Sequence, residues 1–397
     1  MSVIDDGYIR DMLKRLLETP SPTGYTDEVT RLCCGELQKL GVPYEITRRG
    51  AIRARIQGGR RQPARAVVAH IDTLGAQVKA IKENGRLEVV PIGHWSSRFA
   101  EGARATVYTV DHGAFRGTIL PLKASGHTFN EEVDTQPVAW SQVEFRPDVV
   151  AESAEDLEAL GFNIGDIISI DPQPEFIDNG FIVSRHLDDK AGVAAMFGAI
   201  KAIVESKEPL AVDTYFILSI TEEVGSGASS ILTSDIASMV SIDNGTQAPG
   251  QNSREFGVTV AMADQTGPFD YHLTQKLLRL AREDEIEHQR DVFRYYRSDS
   301  ASAIEAGADV RTALICFGID ASHGYERIHM HALHSVARLV HSYCLSRVEI
   351  NHDADAMGDL SGFTHLPMDL AKEDSWDGRD EAPERPSGER HAGGGQS

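Results

Sequence analysis

Five short apolar runs, each passing at its carboxyl end into an imidazole or a carboxylate, restrict this chain more than any other feature. Ala66-Val67-Val68-Ala69 is almost wholly apolar, as a strand covered on both faces must be, and it runs directly into His70-Ile71-Asp72. Asp188-Asp189 follow the run from Phe181 to Ser184, and Glu222-Glu223 follow a strand from Thr214 to Ile220. Asp243 closes a run from Met239, and His323 stands beyond one from Thr312 to Phe317. Helical segments alternate with these runs. The first carries Ile9, Met12, Leu13, Leu16 and Leu17 on one stripe and stops near Glu18, before Pro20. Others are expected from about Thr26 to Leu40, Lys190 to Ser206, Tyr271 to His288 and Ile328 to Leu345. The alternation predicts an α/β fold, a mostly parallel sheet flanked by helices. Ligands of such sheets gather outside the carboxyl ends of strands, so the five polar endings are expected to share one crevice.

The pattern breaks once. From Gln77 to Pro172 the chain becomes a series of short β-rich runs divided by Asn84-Gly85 and Asp111-His112-Gly113, with one helical piece from Ala154 to Leu160. Residues 77–172 therefore read as a small β domain inserted between the two parts of a catalytic α/β domain, 1–76 and 173–351. Residues 352–397 hold 11 acidic and 4 basic side chains among Gly, Pro and Ser, and are expected to form a disordered acidic tail.

The formal charge of −21 excludes whole classes of partner. A surface of that sign repels nucleic acid and anionic membrane alike. No run approaches the roughly 18 apolar residues of a spanning helix, and Met1-Ser2-Val3-Ile4-Asp5-Asp6 lacks the layout of a signal peptide. Four cysteines in 397 residues make no disulfide framework. The expectation is a cytoplasmic protein with reduced, buried thiols.

The five endings offer two imidazoles and several carboxylates but no thiolate. That donor set suits Zn²⁺, Co²⁺ or Mn²⁺ in a hydrolytic site, whereas structural zinc usually recruits cysteine. Two ions account for the number of carboxylates better than one, held roughly 3.5–4 Å apart by a shared ligand. Asp188 is the expected bridge; His70 and Asp243 would complete one ion, Glu223 and His323 the other. Glu222 is then free to take a proton from the attacking water and pass it to the leaving amine. Asp72 is placed to accept a hydrogen bond from the second ring nitrogen of His70. His331 and His334 share a helix face but read as solvated. The stretch from Arg294 to Ala301 reads either as a contact for a peptide terminus or as a strand followed by a helix cap at Ser298 or Asp299. Arg185 and His186 receive no role.

Ala69-His70-Ile71-Asp72, Leu187-Asp188-Asp189-Lys190-Ala191-Gly192, Thr221-Glu222-Glu223-Val224-Gly225, Ile242-Asp243-Asn244-Gly245 and Ser322-His323-Gly324 together resemble the M42 family of dinuclear metallo-aminopeptidases, the glutamyl and tetrahedral aminopeptidase group. The resemblance runs from about Ile9 to Arg347. The 118 residues between His70 and Asp188 fit that family, since the M20 type places its extra domain between later ligands. It implies the ligands and base named above, a cis peptide after Asp188, and a β domain used in dimer contacts. It also implies a homo-oligomer, either a dimer or a hollow dodecamer, acting on peptides or small amides. Gly93 to Phe99 and Pro121 to Asn130 depart from the general pattern. They resemble the branch associated with the osmoprotectant N-acetylglutaminylglutamine amide, which implies a small dipeptide-like substrate. Two other readings stay open: an M20-type deacylase or dipeptidase using the same ligands, and a non-catalytic scaffold in osmolyte metabolism.

Overall fold

The computed structural model describes residues 4–364 and 366. Its first helix, Asp6–Glu18, starts where the Asp5 carboxylate accepts the Tyr8 N–H at 3.0 Å, and it buries the whole Ile9, Met12, Leu13, Leu16, Leu17 stripe. This stripe packs on the long helix Leu187–Ser206, which is rich in Ala, Gly and Val and buried on nearly every side.

That helix lies against a nine-stranded mixed sheet. Four strands at its centre run parallel, in the order Val212–Ser219, Arg60–His70, Ile236–Thr246, Arg311–Ile319. Four of the five expected endings lie on these neighbouring parallel strands or the turns that follow them: His70 ends Arg60–His70, Asp243 lies near the end of Ile236–Thr246, and Glu222-Glu223 and His323 follow Val212–Ser219 and Arg311–Ile319. The strands flanking these four pair antiparallel to them, and His288–Val292 pairs parallel with Val258–Asp264. Tyr44–Ile46 and Ile52–Ile56 form a hairpin that joins Val212–Ser219, and Val258–Asp264 runs against Arg311–Ile319.

Several edge elements differ from the sequence reading. Val258–Asp264, Gly267–Pro268 and His288–Val292 are strands that the apolar pattern did not mark. The helix expected to reach His288 ends as Tyr271–Glu283. The last helix begins at Met330, because Glu326–His329 instead pairs with Phe181–Ser184 in a separate three-stranded sheet. His288–Val292 lies at the sheet edge, is covered on fewer sides and carries polar residues such as His288, Gln289 and Arg290, so it lacks the continuous apolar signature.

A second, smaller core occupies a closed barrel in the order Gly75–Lys82, Arg86–Ile92, Val143–Pro147, Gly113–Pro121, Arg104–Thr109, Ile167–Ile170. Leu87, Val89, Val107, Ile119, Phe145 and Ile168 fill it, and closure leaves no unpaired strand edge. Besides the expected helix, found at Ala154–Ala159, two four-residue helices, Gly126–Phe129 and Glu132–Thr135, cross the Gly113–Pro121 to Val143–Pro147 connection. All four cysteines are unpaired and buried. Among the described residues no helix is long and apolar enough to cross a membrane. Most of the expected acidic tail lies outside the described residues.

Candidate metal centre

The strand Arg60–His70 delivers its last side chain to the crevice, and His70 is 1% exposed. Its Nε2 lies 3.2 Å from Asp188 Oδ1. Asp188 enters from the start of the buried helix, where the Asp188–Asp189 peptide is cis and both residues have non-helical backbone angles. The other oxygen, Asp188 Oδ2, lies 3.2 Å from His323 Nε2, which is 3.7 Å from Glu223 Oε2. Asp243 completes the opposite side. Two groups of ligand-competent atoms result, His70–Asp188–Asp243 and Asp188–Glu223–His323, the atoms within each lying no more than 4.8 Å apart. Glu222 belongs to neither group; its Oε2 lies 3.9 Å from His70 Nε2.

A further set of groups holds these side chains in place, and sequence reasoning missed most of it. Glu326 is buried and accepts main-chain N–H groups from Leu187 at 2.7 Å, Asp188 at 3.2 Å and His323 at 2.8 Å, tying two distant loops to one carboxylate. Asn244 Nδ2 donates to Asp188 Oδ2 at 2.7 Å and to Asp243 Oδ1 at 3.1 Å. Asp189 Oδ2 accepts the His70 main-chain N–H at 3.2 Å. His323 Nδ1 meets the His94 carbonyl at 2.9 Å, which leaves Nε2 facing the shared aspartate. Asn244 stood within the quoted Ile242 to Gly245 motif, whereas Glu326 carried no signal beyond lying three residues after His323.

The ring contact expected of the Asp72 carboxylate is made by a different atom. His70 Nδ1 meets the Asp72 main-chain carbonyl at 3.0 Å, with the carboxylate farther off at 3.6 Å. The strand ends at His70, so the Asp72 side chain turns toward the neighbouring loop. There it accepts the main-chain N–H groups of Glu222 at 3.1 Å and Glu223 at 3.3 Å, and the Thr23 hydroxyl at 2.7 Å. The His331 and His334 rings find separate partners, the Gly257 N–H and Asp6 respectively. The helix Asp299–Glu305 follows Ser298 at its N-cap, and the Asp299 carboxylate accepts the Ser219 hydroxyl at 2.8 Å.

The electrostatics of this cluster favour added positive charge. Burial pushes Glu223 up to about 8 and holds Asp243 well above the usual carboxylate range, with the Asp188 charge adding to both. Burial also raises Glu222 well above its ordinary value, partly offset by His70 and reinforced by Asp243, Asp299 and Glu223. Asp188 behaves oppositely: burial would raise it, but its bonds to His323 and His70 hold it below the normal range. Among the described residues no lysine or arginine forms an ion pair with these four carboxylates, whose direct cationic partners are the imidazoles. Hard oxygen and imidazole donors crowded around one aspartate, short of positive charge, fit divalent cations.

A mixed sheet with flanking helices, whose central strand ends converge on two such groups sharing an aspartate, is the framework of the co-catalytic metallopeptidases. The family model described as M42 glutamyl aminopeptidase matches residues 50–339. YhfE of Bacillus subtilis is 35% identical over 336 residues, which take in 85% of this chain and 97% of that one. The lysyl aminopeptidase of Pyrococcus furiosus is 28% identical over 217 residues, 54% of this chain and 60% of that one. Among solved structures, a TET aminopeptidase from a marine sediment thaumarchaeon superposes with a TM-score of 0.77 at 20% identity, covering 85% of this chain and 96% of that one. The TET1 peptidase of Pyrococcus horikoshii gives 0.74 at 21%, covering 85% and 99%. The chain belongs to the M42 peptidase family, and it is a peptide hydrolase, a metal-dependent aminopeptidase.

Proposed function

We propose that the protein removes the N-terminal residue of peptides or small amides with two divalent cations. His70 and Asp243 would hold one, Glu223 and His323 would hold the other, and Asp188, common to both ligand groups, would be shared between them. The observation that carries this is the pair of ligand groups meeting at Asp188. The thiolate-free donor set supports Zn²⁺ or Co²⁺, with Mn²⁺ also compatible. Such ions supply Lewis acidity, polarising the scissile carbonyl and making water more acidic.

The chain's own residues do the rest. Glu222 stands beside the ligands without being needed as one, and it takes a proton from the attacking water and returns it to the departing amine. Asp72 fixes where that carboxylate stands by holding the Glu222 and Glu223 main-chain N–H groups. Glu326 and Asn244 hold the loop of the bridging aspartate, so the two subsites keep their spacing as substrate enters. Four unpaired thiols support work in the cytoplasm. A homo-oligomer built through the barrel is the proposed assembly; the horikoshii relative assembles into a tetrahedron or a large octahedral shell.

Metal-reconstituted protein offered matched free and N-acetylated aminoacyl peptides tests the reading. Only the free series should be cleaved. Equal or preferred cleavage of the acetylated series would establish a deacylase instead.

A further inference from the structure

One charged group beside the centre is left unused by the aminopeptidase reading. Arg185 stands on the turn between the strand Phe181–Ser184 and the bridging Asp188. It lines a narrow cavity together with Leu74, Trp95, Glu223 and His323. Its Nη1 donates to Gln173 Oε1 at 3.0 Å, and its guanidinium carbon lies 5.4 Å from the centroid of the Tyr325 ring. The Nε–H is buried and meets no acceptor among the described residues. No carboxylate there forms an ion pair with it either, and burial lowers its pKa accordingly.

A partly buried cation without a counter-ion is an unfavourable arrangement in the empty protein. Asp171 and Glu326 offset the effect of burial only in part, and neither forms an ion pair with it. Asp188 and Glu223 face His323 and the proposed cations, while Glu326 is saturated by three main-chain N–H groups. The Nε edge of a guanidinium is the side that takes a carboxylate through two parallel hydrogen bonds. The cavity joins Arg185 to Asp188, Glu223 and His323, which keeps that carboxylate close to the centre.

We infer that Arg185 binds a carboxylate of the substrate beside the metal centre. The inference rests on the aminopeptidase reading and narrows its substrate class. The carboxylate has two sources, the side chain of an acidic N-terminal residue or the free C-terminus of a dipeptide.

Two matched pairs separate them on the metal-loaded enzyme: glutamyl- against glutaminyl-p-nitroanilide, and Leu-Gly against Leu-Gly-amide. One pair should favour its carboxylate member by about 10- to 100-fold in kcat/KM, the worth of a charged hydrogen-bonded contact, and that pair identifies the source. Arg185→Gln should collapse the ratio toward one. Arg185→Lys should restore only part of it, because a point charge lacks the fork. Each variant is checked for metal content and thermal midpoint, with Arg185→Met replacing any that does not fold. No preference in either pair, or a preference that survives Arg185→Gln, overturns the inference and leaves the aminopeptidase reading standing. Absence of turnover on all four compounds with metal bound overturns both.

Discussion

Replacing Glu222 by Gln separates proton transfer from metal holding. The side chain lies outside both ligand groups, and its main-chain N–H is fixed by Asp72 Oδ1 at 3.1 Å, a bond the substitution does not touch. Gln keeps the skeleton and loses the ability to accept and return a proton. A positioned acid–base group contributes about 10²–10⁴ in rate, or about 3–5 kcal/mol of barrier. The Glu222 side chain is only 15% exposed, so bulk water is poorly placed to substitute as the acceptor, which puts the expected loss in the upper half of that range. The assay is kcat on an aminoacyl p-nitroanilide at saturating metal, with metal per chain measured by elemental analysis on the same sample. The expected result is a fall in kcat of about 10³-fold or more with metal content unchanged. A kcat within tenfold of wild type would refute the proton-carrier role, and metal loss in step with activity would make Glu222 a ligand instead.

Three other changes probe the framework. Glu326→Gln sets an NH₂ against one of the N–H donors that the carboxylate now satisfies, and should weaken metal binding by about 10- to 100-fold in chelator competition; unchanged affinity would remove Glu326 from the support of the centre. Glu36, bonded to Arg15 at 2.9 Å, Lys39 at 3.1 Å and Tyr8 Oη at 2.8 Å, has its pKa held below 4.5 by these partners despite the opposing effect of burial. Its stabilisation is therefore present above the unfolded pKa and fades as pH falls through the folded one. Glu36→Gln should cost about 1–2 kcal/mol in urea melts at pH 7, after allowing for solvent screening of Arg15 and Lys39, and nothing near pH 2; a pH-independent difference would contradict this. Gly192→Ala would put a methyl group 2.1 Å from Asp189 Oδ1 and 2.8 Å from Ile242 Cγ2, so the first turn of the buried helix must shift; a thermal midpoint and metal affinity equal to wild type would show that the contact is not restrictive.

The proposed ligands stand out in the sequence for a physical reason. A strand buried on both faces must be apolar along its length, so a charged residue at its end marks the place where burial gives way to a crevice, and His70 and Asp243 are both read that way. The same reasoning is silent at the sheet edge, where one face or one side is open and polar residues are tolerated; His288, the first residue of the strand His288–Val292, was read as the end of a helix for that reason. Asp72 shows a finer limit. Its distance in sequence from His70 suggested a ring contact, but the direction of a side chain beyond the last strand residue depends on the turn, and the turn aims it at the Glu222 loop.

The barrel insertion is where sequence reasoning had least to work with, and it is not passive. The His94 carbonyl, on the loop between Arg86–Ile92 and Arg104–Thr109, receives the His323 ring N–H, so a loop of the inserted unit orients a proposed ligand of the α/β body. The next residue, Trp95, lines the Arg185 cavity, and its own carbonyl accepts the Trp140 indole N–H at 3.0 Å while the two rings meet edge to face. A main-chain carbonyl leaves no trace in residue identity, and any residue at position 94 offers one. Substituting His94 should therefore leave the His323 contact in place, whereas Trp140→Ala, which removes the neighbour packed on Trp95, should loosen the loop and weaken metal binding without touching a ligand. Metal affinity that falls with His94→Ala and not with Trp140→Ala would show that side-chain chemistry at position 94, rather than the position of its backbone, is what serves the centre.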